Sequence, residues 1–227
     1  MENTSSLPER GLSPWVFRSV LDQQARMLTA ALHEDLFVAY SAETGALYKA
    51  WKGDVKLDGA VYTTAHGPQP EAVGKVWLKD TMQQHWFYHT EGASRVYPEV
   101  RYLGHRIKDG QLYLRTRLTD PDGKFTATIS ERPEAIINQD GTISLERTFF
   151  VEGLPAEVSL KLKLLVDGIP TRNSLETNGT VDIVNMDKKT FSGLRALTVY
   201  GELTLNATGS TSLRTDFIRY PTLPDDY

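Results

Sequence analysis

The residues with the clearest chemical content lie between 45 and 77, in GALYKAWKGDVKLDGAVYTTAHGPQP and the Trp77 that follows. Tyr48, Trp51, Tyr62, His66 and Trp77 crowd this window beside Lys52, Asp54 and Asp58. Aromatic faces next to carboxylates, amides and cations suit sugars, whose rings offer apolar C–H faces and many hydroxyls; small-ligand sites generally combine an apolar floor with a few convergent polar groups. On this reading Trp51, Tyr62 and Trp77 supply stacking surfaces, and Arg18, Lys52, Asp58, His66 and Gln69 hydrogen-bond hydroxyls. Two prolines stiffen the loop His66-Gly67-Pro68-Gln69-Pro70. The same aromatic residues on strands also serve as core or cross-strand partners. The two readings differ in whether the rings face inward or out.

Other chemistry finds less support. His85 and His89 share a strand face but are separated by Phe87, a long reach for two ligands of one ion, and no HExxH pattern is present. No metal site is expected. The chain has no cysteine, which excludes thiolate nucleophiles, cysteine-ligated zinc and a CxxCH haem attachment within it. GxSxG, GxxxxGK[ST] and GxGxxG are also missing, and no cofactor is expected. A glycosidase carboxylate pair is available in principle from Asp54, Asp58, Glu131, Glu134 or Glu146, and its spacing would set the mechanism.

These residues must be positioned by strands. Leucines alternate with polar residues in Leu112–Leu118, and Val158–Leu164 sets four aliphatic residues against serine and lysines. Period-two alternation marks half-buried strands of antiparallel sheets. Lys108-Asp109-Gly110, Asp120-Pro121-Asp122-Gly123, Gln139-Asp140-Gly141 and Thr177-Asn178-Gly179 supply the turns between them. Strands are predicted near 15–21, 27–32, 36–40, 46–51, 59–64, 74–78, 84–89, 95–107, 111–118, 124–130, 142–151, 157–165, 180–184, 194–205 and 211–219. Short helical turns are expected only at Leu21–Arg26 and Asp80–Gln84. The fold class that follows is all-β, a large antiparallel β-sandwich of two extended packed sheets. The expected organisation is a lead-in over 1–13, one sandwich domain over 14–220 with a subdivision conceivable at 88–94, and a linker over 221–227.

Charge and hydropathy narrow the partners. A net charge of -4 gives no global basic field to draw in nucleic acid. No stretch approaches the roughly 20 apolar residues of a membrane-spanning helix. Met1–Ser13 is polar, with no apolar core of a signal peptide in view.

Two stretches carry a family resemblance. PWVFRSVLDQQARMLTAALHEDLFVAYSAETGALYKAWKGDVKLDGAVYTTAHGPQP resembles the β-rich region preceding sugar-dehydrogenase-like propellers and c-type cytochrome domains in large exported bacterial proteins. RYLGHRIKDGQLYLRTRL, followed by ISLERTFFVEG, is similar to the segment those proteins use before their next domain. The resemblance implies a periplasmic or otherwise extracytoplasmic setting, association with carbohydrate degradation or oxidation, and neighbouring catalytic or cytochrome domains as partners. With no CxxCH and no propeller here, electron transfer does not carry over.

Three functions follow as expectations. The first is a non-catalytic accessory module with a carbohydrate ligand. The second is a structural docking domain of a multidomain redox protein. The third is a β-sandwich glycoside hydrolase or lyase drawing on Asp54, Asp58, His66 and Glu146.

Overall fold

The computed structural model describes residues 14–57, 68–90, 95–168, 171–191 and 194–219. Fifteen strands follow in chain order. They are β1 (Trp15–Leu21), β2 (Gln24–His33), β3 (Leu36–Ser41), β4 (Ala46–Lys56), β5 (Glu71–Lys79), β6 (Trp86–Thr90), β7 (Glu99–Lys108) and β8 (Gln111–Thr119). The rest are β9 (Thr126–Ile137), β10 (Ile143–Glu152), β11 (Val158–Gly168), β12 (Thr171–Thr177), β13 (Thr180–Phe191), β14 (Leu194–Leu205) and β15 (Ser210–Arg219). Every pairing between these strands is antiparallel. The all-β sandwich expected from alternation is the fold observed.

β1 to β5 form a five-stranded meander in sequence order. The other ten strands form a second sheet in two groups. One group runs β12, β15, β10, β9, β8, β7; the other is β13, β14, β11, with β6 added beside β11. Only the short ladder Asp167↔Arg172 and Gly168↔Thr171 joins β11 to β12. The sheet doubles back there, because one apolar cluster draws side chains from both groups: Trp86 and Leu160 from one, Ile129 and Phe149 from the other.

The long strands β8, β9 and β10 act as a platform whose inner face is covered twice. Toward one end, Leu118, Ala127, Ile129, Phe149 and Val151 pack under β6, β11 and β14. Toward the other, Leu112, Leu114 and Leu145 pack under Leu28, Val38, Tyr40, Leu47 and Trp77 of the meander. Alternation produces both contacts, since Leu112, Leu114, Thr116 and Leu118 all lie on one face of β8 and are buried.

Between the two covers the inner face turns polar. Glu131 and Arg147 occupy the positions where the covers meet, 4% and 5% exposed. Arg147 donates from Nε to Glu131 Oε1 at 2.6 Å and from Nη2 to Oε2 at 3.2 Å. The Tyr40 hydroxyl, from β3, donates to Glu131 Oε1 at 2.6 Å. A charge taken from water needs a partner and filled lone pairs, and here the partners lie on different sheets. Burial, then the Glu131 charge, pushes the Tyr40 hydroxyl well above its ordinary pKa. Burial opposes the Arg147 charge, but Glu131 and Tyr40 outweigh it and raise the guanidinium pKa further. Gly45 closes the same seam: its carbonyl accepts from Trp86 Nε1 at 3.2 Å, and a Cβ there would meet Thr116 at 2.6 Å.

The meander also buries its second face. Leu21, Met27, Phe37, Ala39, Tyr48, Trp51 and Val55 cluster there. The sheet curls until the end of β1 meets the approach to β5, where Asp22 N–H donates to the Pro70 carbonyl at 3.0 Å and Asp22 Oδ1 accepts from Ala72 N–H at 2.8 Å. Asp22 Oδ2 also takes Lys49 Nζ at 2.7 Å. Burial and this carboxylate push the Tyr48 hydroxyl up to about 12.

The structure departs from expectation in three places. Leu21–Arg26 is no helical turn but a tight hairpin, with Asp22 and Gln23 both at positive φ and Leu21 paired to Gln24. Asp80–Gln84 forms no helical turn either; it is the irregular connection between the two sheets. β12 is an additional strand, paired along its length with β15. The strand expected at 59–64 lies outside the described residues.

Candidate functional site

A concavity opens where the meander meets the β9–β10 end of the platform, with a volume of about 1000 Å³. Its lining brings together Lys52 and Asp35 from the meander, the turn 138–142, and Arg214 and Asp216 from β15. Trp77 and Phe217 form its base, stacked with ring centroids 4.9 Å apart and planes 19° apart. Ile136, Ile137 and Ile143 add an apolar flank, and Ile137 is 56% exposed.

The polar wall is held by a chain of hydrogen bonds. The 138–142 turn is closed by Asn138 N–H to the Thr142 carbonyl at 2.8 Å. Asn138 Nδ2 donates to Thr142 Oγ1 at 2.9 Å and to Ser144 Oγ at 2.8 Å. Ser144 Oγ donates in turn to Asp216 Oδ1 at 2.5 Å. Arg214 donates from Nε to Asp216 Oδ1 at 3.1 Å and from Nη2 to Asn138 Oδ1. The register explains the meeting, since Ser144 pairs directly with Asp216 across β10 and β15. On the facing wall, Lys52 Nζ and Asp35 Oδ1 form a 2.9 Å ion pair with both side chains half exposed.

Of the residues singled out by sequence, Lys52 and Trp77 line this cleft. Trp77 is 4% exposed, so it serves as floor and not as an open stacking face. Trp51 corrects the expectation outright: it is fully buried, stacks on Phe37 at 5.4 Å, and donates Nε1 to the Asp54 carbonyl. A tryptophan on β4 is drawn inward because the curled meander buries both of its faces. Arg18 stands elsewhere, over the Tyr102 ring at 5.7 Å. Gln69 is half-buried in the loop before β5 and does not line the cleft. Asp58, Tyr62 and His66 lie outside the described residues.

The carboxylates offered for hydrolysis are occupied or apart. Asp54 Oδ1 accepts from Val55 N–H at 2.7 Å. Glu131 is the buried partner of Arg147, and Glu134 accepts from Gln111 at 2.7 Å and pairs with Arg132 at 2.7 Å. Glu146 faces the opposite side of the platform from Arg147, across from Glu134 and Arg214. Inside the cleft Asp35 is held by Lys52, Asp140 by Thr142 and Asp216 by Ser144 and Arg214. Arg214, Asp216, Asn138 and Phe217 were missed by sequence reasoning. The sole cue near them was the turn at Gln139-Asp140-Gly141, which announces a turn and not a site.

No protein-family model matches the chain, and a search of curated proteins finds no match.

Proposed function

We propose that this chain is a non-catalytic, carbohydrate-associated accessory module whose cleft binds a neutral polyhydroxylated ligand. The carrying observation is the pairing of charges around the Trp77–Phe217 floor. Lys52 with Asp35, and Arg214 with Asp216, present donors and acceptors at little net charge. A sugar needs that combination: many directional hydrogen bonds, an apolar surface for its C–H face, and no charge to neutralise. An anionic ligand would have to displace an existing partner of Lys52 or Arg214 first. The setting that accompanies this reading is extracytoplasmic, beside catalytic or cytochrome domains of a larger assembly.

The test is a glycan array followed by calorimetry on any hit. Arg214→Ala should weaken binding about tenfold or more, the worth of one charge-assisted hydrogen bond, with an unchanged melting curve. Absence of any glycan ligand, or a hit indifferent to both Arg214→Ala and Lys52→Ala, would overturn the reading.

A further inference from the structure

A separate feature lies on the outer face of the β7–β8 hairpin. Register places Arg101 directly opposite Arg117, Gly104 opposite Arg115, Arg106 opposite Tyr113 and Lys108 opposite Gln111. Tyr102 and Leu114, the neighbours of alternate parity, pack inward beneath the meander, so these cations share the outward face. Arg101, Arg106, Lys108, Arg115 and Arg117 are all exposed. Among the described residues none of the five makes an ion pair. That is an unusual concentration in a chain of net charge -4. Like charges set directly opposite each other on a sheet are destabilising, and here Arg101 and Arg117 stand so.

The shape of the patch narrows the partner. β7 ends the sheet order, so among the described residues no strand lies beyond its outer edge. Gly104 leaves a side-chain gap opposite Arg115, and a Cβ built there would touch nothing within 4 Å. Thr128 and Ser130 pair with Arg117 and Arg115 on the β9 side, and beyond them on β10 Glu152 stands across from Thr128 and Phe150 across from Ser130. The cations therefore form a stripe along two strands, open in the middle, with Glu99 and Glu152 at its Arg101–Arg117 end. A linear polyanion would follow the stripe.

We infer that this stripe binds a linear anionic polysaccharide through its carboxylate or sulfate groups. Guanidinium forks pair with both groups bidentately. Nucleic acid fits less well. Single strands are held on open aromatic platforms, whereas the Tyr113 ring is covered by Arg106 at 5.2 Å. The stripe is distinct from the cleft, and either proposal stands if the other fails.

The experiment titrates the intact chain with fluorescently labelled polygalacturonate and dextran sulfate at several salt concentrations. Neutral dextran, single-stranded DNA, duplex DNA and phosphatidylserine vesicles run in parallel. Binding to either anionic polysaccharide, weakening steeply with salt, is expected; which one binds names the group recognised. Arg115→Ala with Arg117→Ala should cost about tenfold or more in affinity by loss of counterion release, with a melting temperature no lower than that of the unaltered protein. Arg26→Ala, which removes a remote exposed arginine, should change nothing. No binding at low salt, equal or tighter binding to either DNA or to vesicles, or indifference to the double substitution would overturn the inference.

Discussion

On the inner face of the platform Arg147 is 5% exposed, clamped by both oxygens of Glu131 and backed by the Phe149 ring at 4.9 Å. On the outer face of the same layer Arg115 and Arg117 stand in water with no carboxylate partner among the described residues. One residue type thus has two physical regimes within one layer, set by which face strand alternation gives it. Inside, desolvation makes a partner obligatory, and the partner comes from this chain. Outside, water tolerates an unpaired cation, so a partner is free to come from elsewhere. The contrast separates an arginine that holds the fold from one available to a ligand.

The contrast breaks most visibly at Glu131. Glu131→Ala leaves Arg147 buried without its carboxylate and should cost about 3–5 kcal/mol, read by denaturant unfolding. Replacing the set with apolar residues, Tyr40→Phe with Glu131→Leu and Arg147→Met, should cost much less because no charge is stranded. Equal losses for the single and the triple variant would show that shape, not charge isolation, governs the seam.

A middle case is Asp80, buried at the junction of the sheets with Oδ1 accepting from Met82 N–H at 2.9 Å and Oδ2 3.9 Å from His85 Nδ1. Burial raises its pKa, offset in part by His85. A carboxyl raised in the folded state contributes stability at pH below its unfolded value, and loses it as pH climbs through the folded value. Asp80→Asn should therefore stabilise the protein by about 1 kcal/mol at neutral pH, comparable to one hydrogen bond. The advantage should vanish as pH falls below about 3.9. Melting temperatures of both proteins across that range decide it; a constant difference would sink the assignment.

The smallest effect belongs to the outer face. Arg117→Thr removes the like-charge opposition with Arg101 and should raise stability by about 0.2–0.5 kcal/mol at low salt. Screening should erase the gain as salt increases. A loss of stability at low salt would mean that Arg117 has a structural partner after all.

The fold was legible because alternation and turn chemistry agree along most of the chain. Leu112–Leu118 and Val158–Leu164 announce strands, and Asp109-Gly110 announces a turn whose two residues both take positive φ. Asp22-Gln23 makes the same turn without glycine, so its sequence does not advertise it. β12, TRNSLET, has scarcely an apolar alternation of its own and forms by pairing with β15. The site was half legible. Lys52 and Trp77 come from the aromatic-rich segment, while Arg214 and Asp216 arrive through a pairing that joins residues 72 apart. Trp51 was misread because residue type cannot tell a ring on a half-exposed sheet from one inside a sheet curled over both faces.

The order in which the strands pair has a consequence for the nascent chain. β1 to β5 each pair with a sequence neighbour, so the meander has all its ladders available as soon as residue 79 has emerged. Its apolar underside has no cover until β8, β9 and β10 follow, and the hydroxyl of Tyr40 waits for a carboxylate 91 residues downstream. β6 likewise has no ladder partner until β11. Such non-local closure is slow and leaves sticky surface exposed meanwhile. The half-made chain therefore passes through a stage in which it is a natural client for a chaperone.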